Sequence, residues 1–223
     1  MFFRLCRSKG YEDHIHGFRK RICTLIGVDP DGPAARPLAE ALYLFAFARD
    51  KLAPVAMVEF YFYEDVFQSY QRAPFNDAYQ LSTIAPMSAM IHVRSVIMED
   101  EYRHSMLFLY LSAALVETAY SLGARFLTAA TSMQYDYILG LHTTAGMRKL
   151  GTFTVEGSPQ QLSLLELEPA ALRASRIRRR KPPLYGTDLM REIKEQRIAA
   201  ALVVSGFPET EMLAGTFHGS EVR

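Results

Sequence analysis

The sequence has few of the features that define several large classes of protein. Cys6 and Cys23 are its only cysteines, and they match no metal or redox spacing, so we expect two buried thiols. No stretch approaches the roughly 18 apolar residues of a membrane span. The N-terminal MFFRLCRSKG lacks the apolar core of a signal peptide. These absences predict a cytoplasmic protein without a membrane span or a bound metal.

Several catalytic and structural motifs are also missing. The sequence contains no P-loop, no G-x-S-x-G motif and no internal repeat. His14 and His16 stand two residues apart, which places them on different faces of a helix and argues against a metal site. No nucleophile with a paired base is visible, so any group transfer is expected to occur by direct attack.

The composition is that of a globular protein, with 49% hydrophobic and 22% charged residues. The net charge of +1 gives no global field that would favour nucleic acid. Basic residues cluster only between 173 and 181, ahead of Pro182-Pro183. We therefore expect a main domain over 1–170 and a C-terminal extension over 171–223, with this basic segment and a helix from Thr187 to about Ala201.

The basic segment has no interleaved aromatic residues. A nucleic acid or an anionic membrane surface is a possible partner for such a segment. A solvated basic helix, or a dock for an acidic acyl carrier protein, agrees with the sequence at least as well. Nucleic-acid binding is therefore the least favoured function, and the oligomeric state is not readable.

The stretch from Met90 to Thr131 organises the chain. Its pattern predicts a strand to Met98, a helix from about Ser105 to Leu122 that Gly123 ends, and a second strand. The first turn of such a helix points unpaired N–H groups at an anion. Alternatively, Ser105 simply caps the helix and its N-terminus is solvated.

Regular elements are predicted on both sides of this stretch. The patterns give a helix over Tyr11 to Gly27, an irregular region over Glu64 to Met90 with a short helix at Asp65 to Arg72, and a helix over Gln134 to Leu150. Strands are expected at Leu42 to Ala48, Pro54 to Tyr63, Thr152 to Val155 and Gln161 to Glu168.

Charged residues inside the predicted strands are the first functional candidates. Glu59 is the lone charge of its strand, so it lies at an exposed or edge position or faces a cleft where it holds a substrate amine. Strict alternation places His92, Arg94, Val96 and Met98 on one face and Ile91, Val93, Ser95 and Ile97 on the other.

Two of these residues suit acyl transfer to an amine. A histidine with a pKa near 6.5 can take the amine's proton. The alternative for His92 is a histidine satisfied by hydrogen bonds in the core. Arg94 needs a partner for its charge, which a substrate carboxylate or Glu59 could provide.

Two segments resemble the GNAT superfamily of N-acyltransferases over roughly residues 10 to 168. Met98-Glu99-Asp100-Glu101-Tyr102-Arg103 resembles its strand end and loop, and Met147-Arg148-Lys149-Leu150-Gly151-Thr152-Phe153 resembles the close of its last helix. His104, Met106 and Phe108 replace the loop glycines, and Met147 replaces a tyrosine that often serves as general acid. With Phe18-Arg19-Lys20-Arg21 and His142, these departures are more similar to acyl-homoserine-lactone synthases and N-acyl amino acid synthases.

The resemblance implies an α/β fold with a mixed, mostly antiparallel central sheet and helices on both faces. The strands beginning near Met90 and Arg125 would splay apart around the donor's pantetheine arm. The implied reaction moves an acyl group from acyl-CoA or acyl carrier protein phosphopantetheine to the amine of an amino acid or related small metabolite. A catalytically idle ligand-binding module on the same fold is the alternative.

The resemblance also implies roles for individual residues. His92 aligns with a glutamate of the lactone synthases and Ser95 with an arginine, so the catalytic set is His92, Arg94 and Ser95. The implied donor-binding residues are Val96, Ile97, Met98, Arg103, His104, Ser105, Met106 and Leu107. Tyr135 and His142 would line the cleft, and together with Glu59, which is a candidate from its place in the strand, they are the expected substrate-binding residues.

Overall fold

The computed structural model describes residues 1–25, 41–49, 51, 53–67, 81–102, 105–155, 157–167 and 184–205. These residues form a sheet with the strand order β6-β7-β5-β4-β3-β2-β1-β8. The strands are β1 (Phe2–Arg7), β2 (Leu42–Phe47), β3 (Pro54–Phe62), β4 (Met90–Met98), β5 (Phe126–Ser132), β6 (Arg148–Val155), β7 (Ser158–Glu166) and β8 (Leu184–Tyr185). The helices are α1 (Glu12–Leu25), α2 (Tyr63–Phe67), α3 (Leu107–Ser121), α4 (Asp136–Thr144) and α5 (Thr187–Ser205).

The expected fold class is confirmed. Only the β4–β5 and β1–β8 pairs are parallel among the strand pairs of the described residues, and the others are antiparallel. Helix α1 packs on one face through Ile15, Phe18 and Ile22. Helix α3 packs on the other through Leu107 and Leu111. The two apolar stripes therefore sandwich the central strands, and β3 is buried along its whole length.

Two elements differ from their predictions. The N-terminal residues form β1, which pairs with β2, and its side chains are divided between the two faces, with Phe3 and Leu5 in the cluster under α3 and Cys6 in the cluster under α1. Helix α4 ends at Thr144 rather than Leu150. Gly146 has a φ of 85°, and its amide bonds to the Thr143 carbonyl oxygen at 3.0 Å. This left-handed glycine terminates the helix and lets β6 begin at Arg148.

Strands β4 and β5 separate part-way along their length. Their pairing runs from Met90 opposite Phe126 to Val93 opposite Ala129. Beyond that point β4 continues to Met98 against β3, while β5 continues to Ser132 against β7. The expected splay is confirmed, and it leaves a wedge in the centre of the sheet.

A β-bulge lies at the point where the wedge opens. Glu59 pairs with Ser95 and Phe60 pairs with Val93, so Arg94 is the extra residue of β4. The bulge reverses the alternation, and the prediction that His92, Arg94, Val96 and Met98 share a face is wrong. His92 and Ser95 instead face α1, whereas Val93 and Met98 belong to the cluster under α3.

The described part of the C-terminal extension joins the same sheet. Strand β8 pairs with β1 at Phe3 and Arg4, and Ile193 of α5 is buried in the core under α3. Several predictions concern residues outside the described ranges and stand untested. They are the domain boundary near 170, the basic segment 173–181, Arg103, His104 and the region from 68 to 72. No helix in the described ranges is long and apolar enough to cross a membrane.

Candidate active site

The β4 side of the wedge presents main-chain hydrogen-bonding groups. The Glu99 amide donates to the Val55 carbonyl oxygen at 3.0 Å, which places this residue on the β3 side of the ladder. In an antiparallel pair the N–H and C=O groups of successive residues alternate in direction. The groups of Ile97 and Ser95 therefore also point to β3, and those of Val96 and Met98 point into the wedge.

The β5 side is built in the same way. The Met133 amide donates to the Pro159 carbonyl oxygen at 2.9 Å, in register with the β5–β7 ladder. Thr131 therefore points its main-chain groups to β7, whereas the main-chain groups of Ala130 and the amide of Ser132 point into the wedge. The Ser132 carbonyl oxygen accepts a hydrogen bond from the Tyr135 amide. Two short rows of amides and carbonyls thus face each other across the opening.

A buried ionic cluster lies beside the bulge. The Glu59 carboxylate is fully buried and forms a direct ion pair with the Arg19 guanidinium of α1. Its other oxygen accepts a hydrogen bond from Arg94 Nη1 at 2.9 Å and one from the Tyr43 hydroxyl at 2.8 Å. Burying a charge requires such compensation, and here two guanidinium groups and a phenol provide it.

This cluster decides between earlier alternatives. Glu59 lies in a central strand, so the prediction of an exposed or edge position is wrong, because its carboxylate is compensated inside the sheet. The hypothesis that Arg94 pairs with Glu59 is confirmed. Ser95 joins the cluster, since its Oγ donates to Glu59 and accepts from Arg19, both at 3.2 Å. Arg94 is 21% exposed and Arg19 only 3%, so Arg94 is the guanidinium a ligand can reach.

His92 lies in the core where β3, β4 and β5 meet. Its Nδ1 is 2.9 Å from Thr128 Oγ1 and 3.2 Å from the Tyr63 hydroxyl. Burial, with a smaller effect from the Arg94 charge, lowers the pKa of His92 to about 3. A group this acidic in its protonated form is a poor base at neutral pH, so the geometry favours the hydrogen-bonded core histidine.

No family profile and no curated protein sequence matches this chain, but solved structures do. The CoA-dependent acyl-homoserine lactone synthase BjaI, with SAM and isopentyl-CoA, matches with a TM-score of 0.58 and 17% identity over 77% of this chain and 86% of that chain. The CoA-dependent synthase MesI gives 0.53 and 15% over 77% and 91%. A putative GNAT-family acetyltransferase from Desulfovibrio desulfuricans gives 0.52 and 15% over 74% and 99%. The chain has the GNAT fold.

In this chain the side chain of Ser105 caps the first turn of α3, where the GNAT loop between β4 and α3 ends. Ser105 Oγ donates to the Tyr102 carbonyl oxygen at 2.7 Å and accepts from the Leu107 amide at 3.1 Å. The Leu107 amide is therefore already used, whereas the Met106 side chain is exposed. Arg103 and His104, the predicted cations of this loop, lie outside the described residues.

The predicted acceptor-binding residues lie apart from one another. Tyr135 is exposed and follows the wedge edge of β5, with its amide bonded to the Ser132 carbonyl oxygen. His142 lies in the last turn of α4, and burial lowers its pKa. Neither shows a contact with the Glu59 cluster, so their roles stay predictions.

Two members of the cluster were not assigned to the site from the sequence. Arg19 enters the sequence analysis only within the segment Phe18-Arg19-Lys20-Arg21, yet it stands four residues after Ile15, on the apolar stripe of α1. That helical spacing was the available signal for its burial. Tyr43 gave no signal, because an aromatic residue in a buried strand is ordinary core. No group of three or more potential metal ligands occurs among the described residues, and both cysteines are buried as expected.

Proposed function

We propose that this protein is an N-acyltransferase that moves an acyl group from a thioester donor, acyl-CoA or acyl carrier protein, to the amine of an amino acid or a related small metabolite. The observation that carries the proposal is the open wedge with main-chain groups on both sides. The amine nitrogen attacks the thioester carbonyl carbon, the C–N bond forms, the C–S bond breaks, and the sulfur leaves as the free thiol. No covalent enzyme intermediate is needed.

The wedge suits a pantetheine arm. The arm is narrow and carries two amides, which can bond to the Val96 and Met98 main chain in the manner of an added strand. Exposed apolar side chains surround the opening, namely Val96, Met106, Met133 and Tyr135. These can cover the aliphatic parts of the donor. Arg103, His104 and the first turn of α3 are proposed to lie near its phosphate.

A main-chain amide can also activate the thioester. In the tetrahedral intermediate the carbonyl oxygen becomes negative, and an N–H already aimed at it stabilises that charge without rearrangement. Val96 and Met98 supply fixed amides because their strand is held by β3 on its other edge. Ile97 contributes its side chain to the face that packs under α1.

The acceptor is proposed to carry a carboxylate. Arg94 presents a partly exposed guanidinium at the wedge, and a planar guanidinium binds carboxylates with two parallel hydrogen bonds. The Glu59 carboxylate holds it in place, and Ser95 in turn donates to that carboxylate. An amino acid would then place its α-amine beside the thioester, while Tyr135 covers it from the rim.

An idle binding module is the second candidate. Ser105 occupies the Leu107 amide, and Met147 stands where the superfamily often has a proton donor. A protein that held the thioester donor without turnover would show the same wedge. Turnover separates the two candidates.

The test is thiol release from acyl-CoA of several chain lengths, with and without pooled amino acids, followed by mass spectrometry of the products. We expect amine-dependent thiol release and an N-acyl amino acid. Arg94→Gln should lose the preference for carboxylated over decarboxylated amines, and Arg148→Gln, an exposed arginine on the edge strand β6, should keep it. Donor binding without turnover would support the idle module. If the protein neither binds nor turns over CoA or carrier-protein donors, both candidate functions are wrong.

A further inference from the structure

The segment that joins β4 to α3 contains three consecutive acidic residues, Glu99, Asp100 and Glu101. It lies where the proposed donor's phosphate would approach. Carboxylates at that place repel a phosphate unless cations neutralise them. The structure provides such cations from two other parts of the fold.

Glu99 is the centre of this arrangement. Its carboxylate accepts from Arg21 Nη2 of α1 at 2.8 Å and from Lys51 Nζ of the β2–β3 hairpin at 3.0 Å. Arg21 also donates to the Pro54 carbonyl oxygen at 3.0 Å. Glu99 is only 18% exposed, so these contacts are partly sheltered from solvent.

Lys51 reaches further along the segment. Its Nζ also forms an ion pair with Glu101 and lies 5.3 Å from the centre of the Tyr102 ring. The two carboxylates raise the pKa of Lys51, so the amine is charged at any physiological pH. One hairpin lysine therefore contacts three side chains of the segment, those of Glu99, Glu101 and Tyr102.

Backbone bonds carry this constraint to α3. The Tyr102 amide bonds to the Glu99 carbonyl oxygen, and the Ser105 amide bonds to the Tyr102 carbonyl oxygen, each at 3.0 Å. Ser105 then caps the Leu107 amide. The position of Glu99 thus determines where the first turn of α3 lies relative to the wedge amides of Met98.

We propose that Lys51, Arg21 and Glu99 are positioning residues that hold Glu99 to Tyr102 and Ser105 in their donor-binding shape, and that the two cations neutralise Glu99 and Glu101 for the donor's phosphate. This inference rests on the proposed function and adds residues to it. The segment lacks glycines that could fold around a phosphate on their own. Its shape is instead set from outside by side chains of α1 and the hairpin.

The test compares Lys51→Ala with Lys194→Ala, which removes the same charge from an exposed site on α5. Steady-state kinetics are measured with acyl-CoA and the amino acid acceptor at low and high salt, beside amide hydrogen exchange of Tyr102, Ser105 and Leu107. Lys51→Ala should raise the donor KM about threefold to tenfold, since misplacement of binding groups is felt in binding. The acceptor KM and kcat should change less than twofold, and Lys51→Arg should restore the donor KM.

Further expected results distinguish this inference from its rivals. Faster exchange of the three amides in Lys51→Ala supports the inference. A wild-type donor KM that rises with salt toward the value of the variant also supports it, because salt screens partly exposed ion pairs. If Lys51→Ala is active and has the same donor KM as Lys194→Ala, this inference is wrong while the proposed function stands. If the wild-type protein does not bind the donor, the proposed function and the role of Lys51 in donor binding are both wrong. If amide exchange is also unchanged in Lys51→Ala, Lys51 has no role in holding the segment either.

Discussion

Glu59 is the residue on which the ionic cluster depends. From a buried strand it balances the positive charges of Arg19 and Arg94 and accepts a hydrogen bond from the Tyr43 hydroxyl. Replacing it with glutamine leaves two guanidinium groups without that carboxylate, and breaking a buried pair in this way costs about 3 to 5 kcal/mol. We expect Glu59→Gln to lower the free energy of unfolding by that amount in urea denaturation.

The matched control is Glu166→Gln, at an exposed position of β7. Surface changes of this kind stay within about 0.5 kcal/mol. If both variants unfolded at the same urea concentration as the wild type, the cluster would not stabilise the fold.

His92 makes a prediction about pH. Its pKa is about 3 in the folded protein, so the unfolded chain binds a proton below pH 6.5 that the folded protein does not. The associated stability is complete above pH 6.5 and falls as the pH drops toward 3. The loss from His92 should reach about 2 kcal/mol at pH 5.

Urea denaturation of the wild type and His92→Gln between pH 5 and pH 7.5 measures this term. The wild type should lose more stability toward low pH than the variant, because only the wild type has this titrating group. Parallel profiles would mean that His92 is accessible to protons in the folded state, and its candidacy as a base would return.

Only part of this ionic cluster was predictable from the sequence. Arg94 was recognisable as a charge that needs a partner, and Glu59 was one of its two candidate partners. The third member, Arg19, comes from α1, and its contact with β3 depends on how helix and sheet pack, which no local pattern encodes.

At the scale of elements, the wedge makes opposite demands on adjacent residues of β4. The Val96 amide points into the wedge, and the Ile97 amide points to β3. Proline removes an amide hydrogen, and strands tolerate it only where that hydrogen is not in a ladder. Val96→Pro should therefore keep most of the stability and lose donor affinity, whereas Ile97→Pro should cost about 3 kcal/mol or more.

Thermal unfolding and calorimetric titration with acyl-CoA separate the two effects. Equal loss of stability in both variants would show that the assigned directions of the amides are wrong.

The bulge marks the limit of prediction for this element. The apolar run from Met90 to Met98 was enough to predict the strand. Arg94 as an extra residue was not predicted, because one inserted residue leaves the composition unchanged while it reverses every later side chain. The side assignment of Val96 and Ser95 could be made only once the pairing with β3 was known.

At the scale of the molecule, Arg197 ties α5 to the body of the sheet. Its guanidinium lies 3.5 Å from the centre of the Phe62 ring, pairs with Glu64 at 3.1 Å and donates to the Ser88 carbonyl oxygen. Arg197→Ala should destabilise the whole protein by about 1 to 3 kcal/mol.

Arg191→Ala is the control, because that arginine pairs with the exposed Asp188 one helical turn away and its removal should change the free energy of unfolding by under about 0.5 kcal/mol. A single cooperative transition is expected for both variants in urea. A separate early transition in Arg197→Ala would instead indicate that α5 unfolds by itself, as an independent extension would.

The overall fold was predictable because the order of strands and helices along the chain is itself informative. A strand, a long helix and a second strand in succession define a parallel crossover, and the hairpin β2–β3 extends it. The eighth strand was not predictable, since a two-residue strand has no pattern of its own and exists only because β1 offers an edge.

Amide hydrogen exchange with and without acyl-CoA tests the central claim most directly. The amides of Val96 and Met98 should exchange quickly in the free protein and become protected when the donor enters the wedge, while the Ile97 amide stays protected throughout. Unchanged exchange at Val96 and Met98 in the presence of saturating donor would contradict the account.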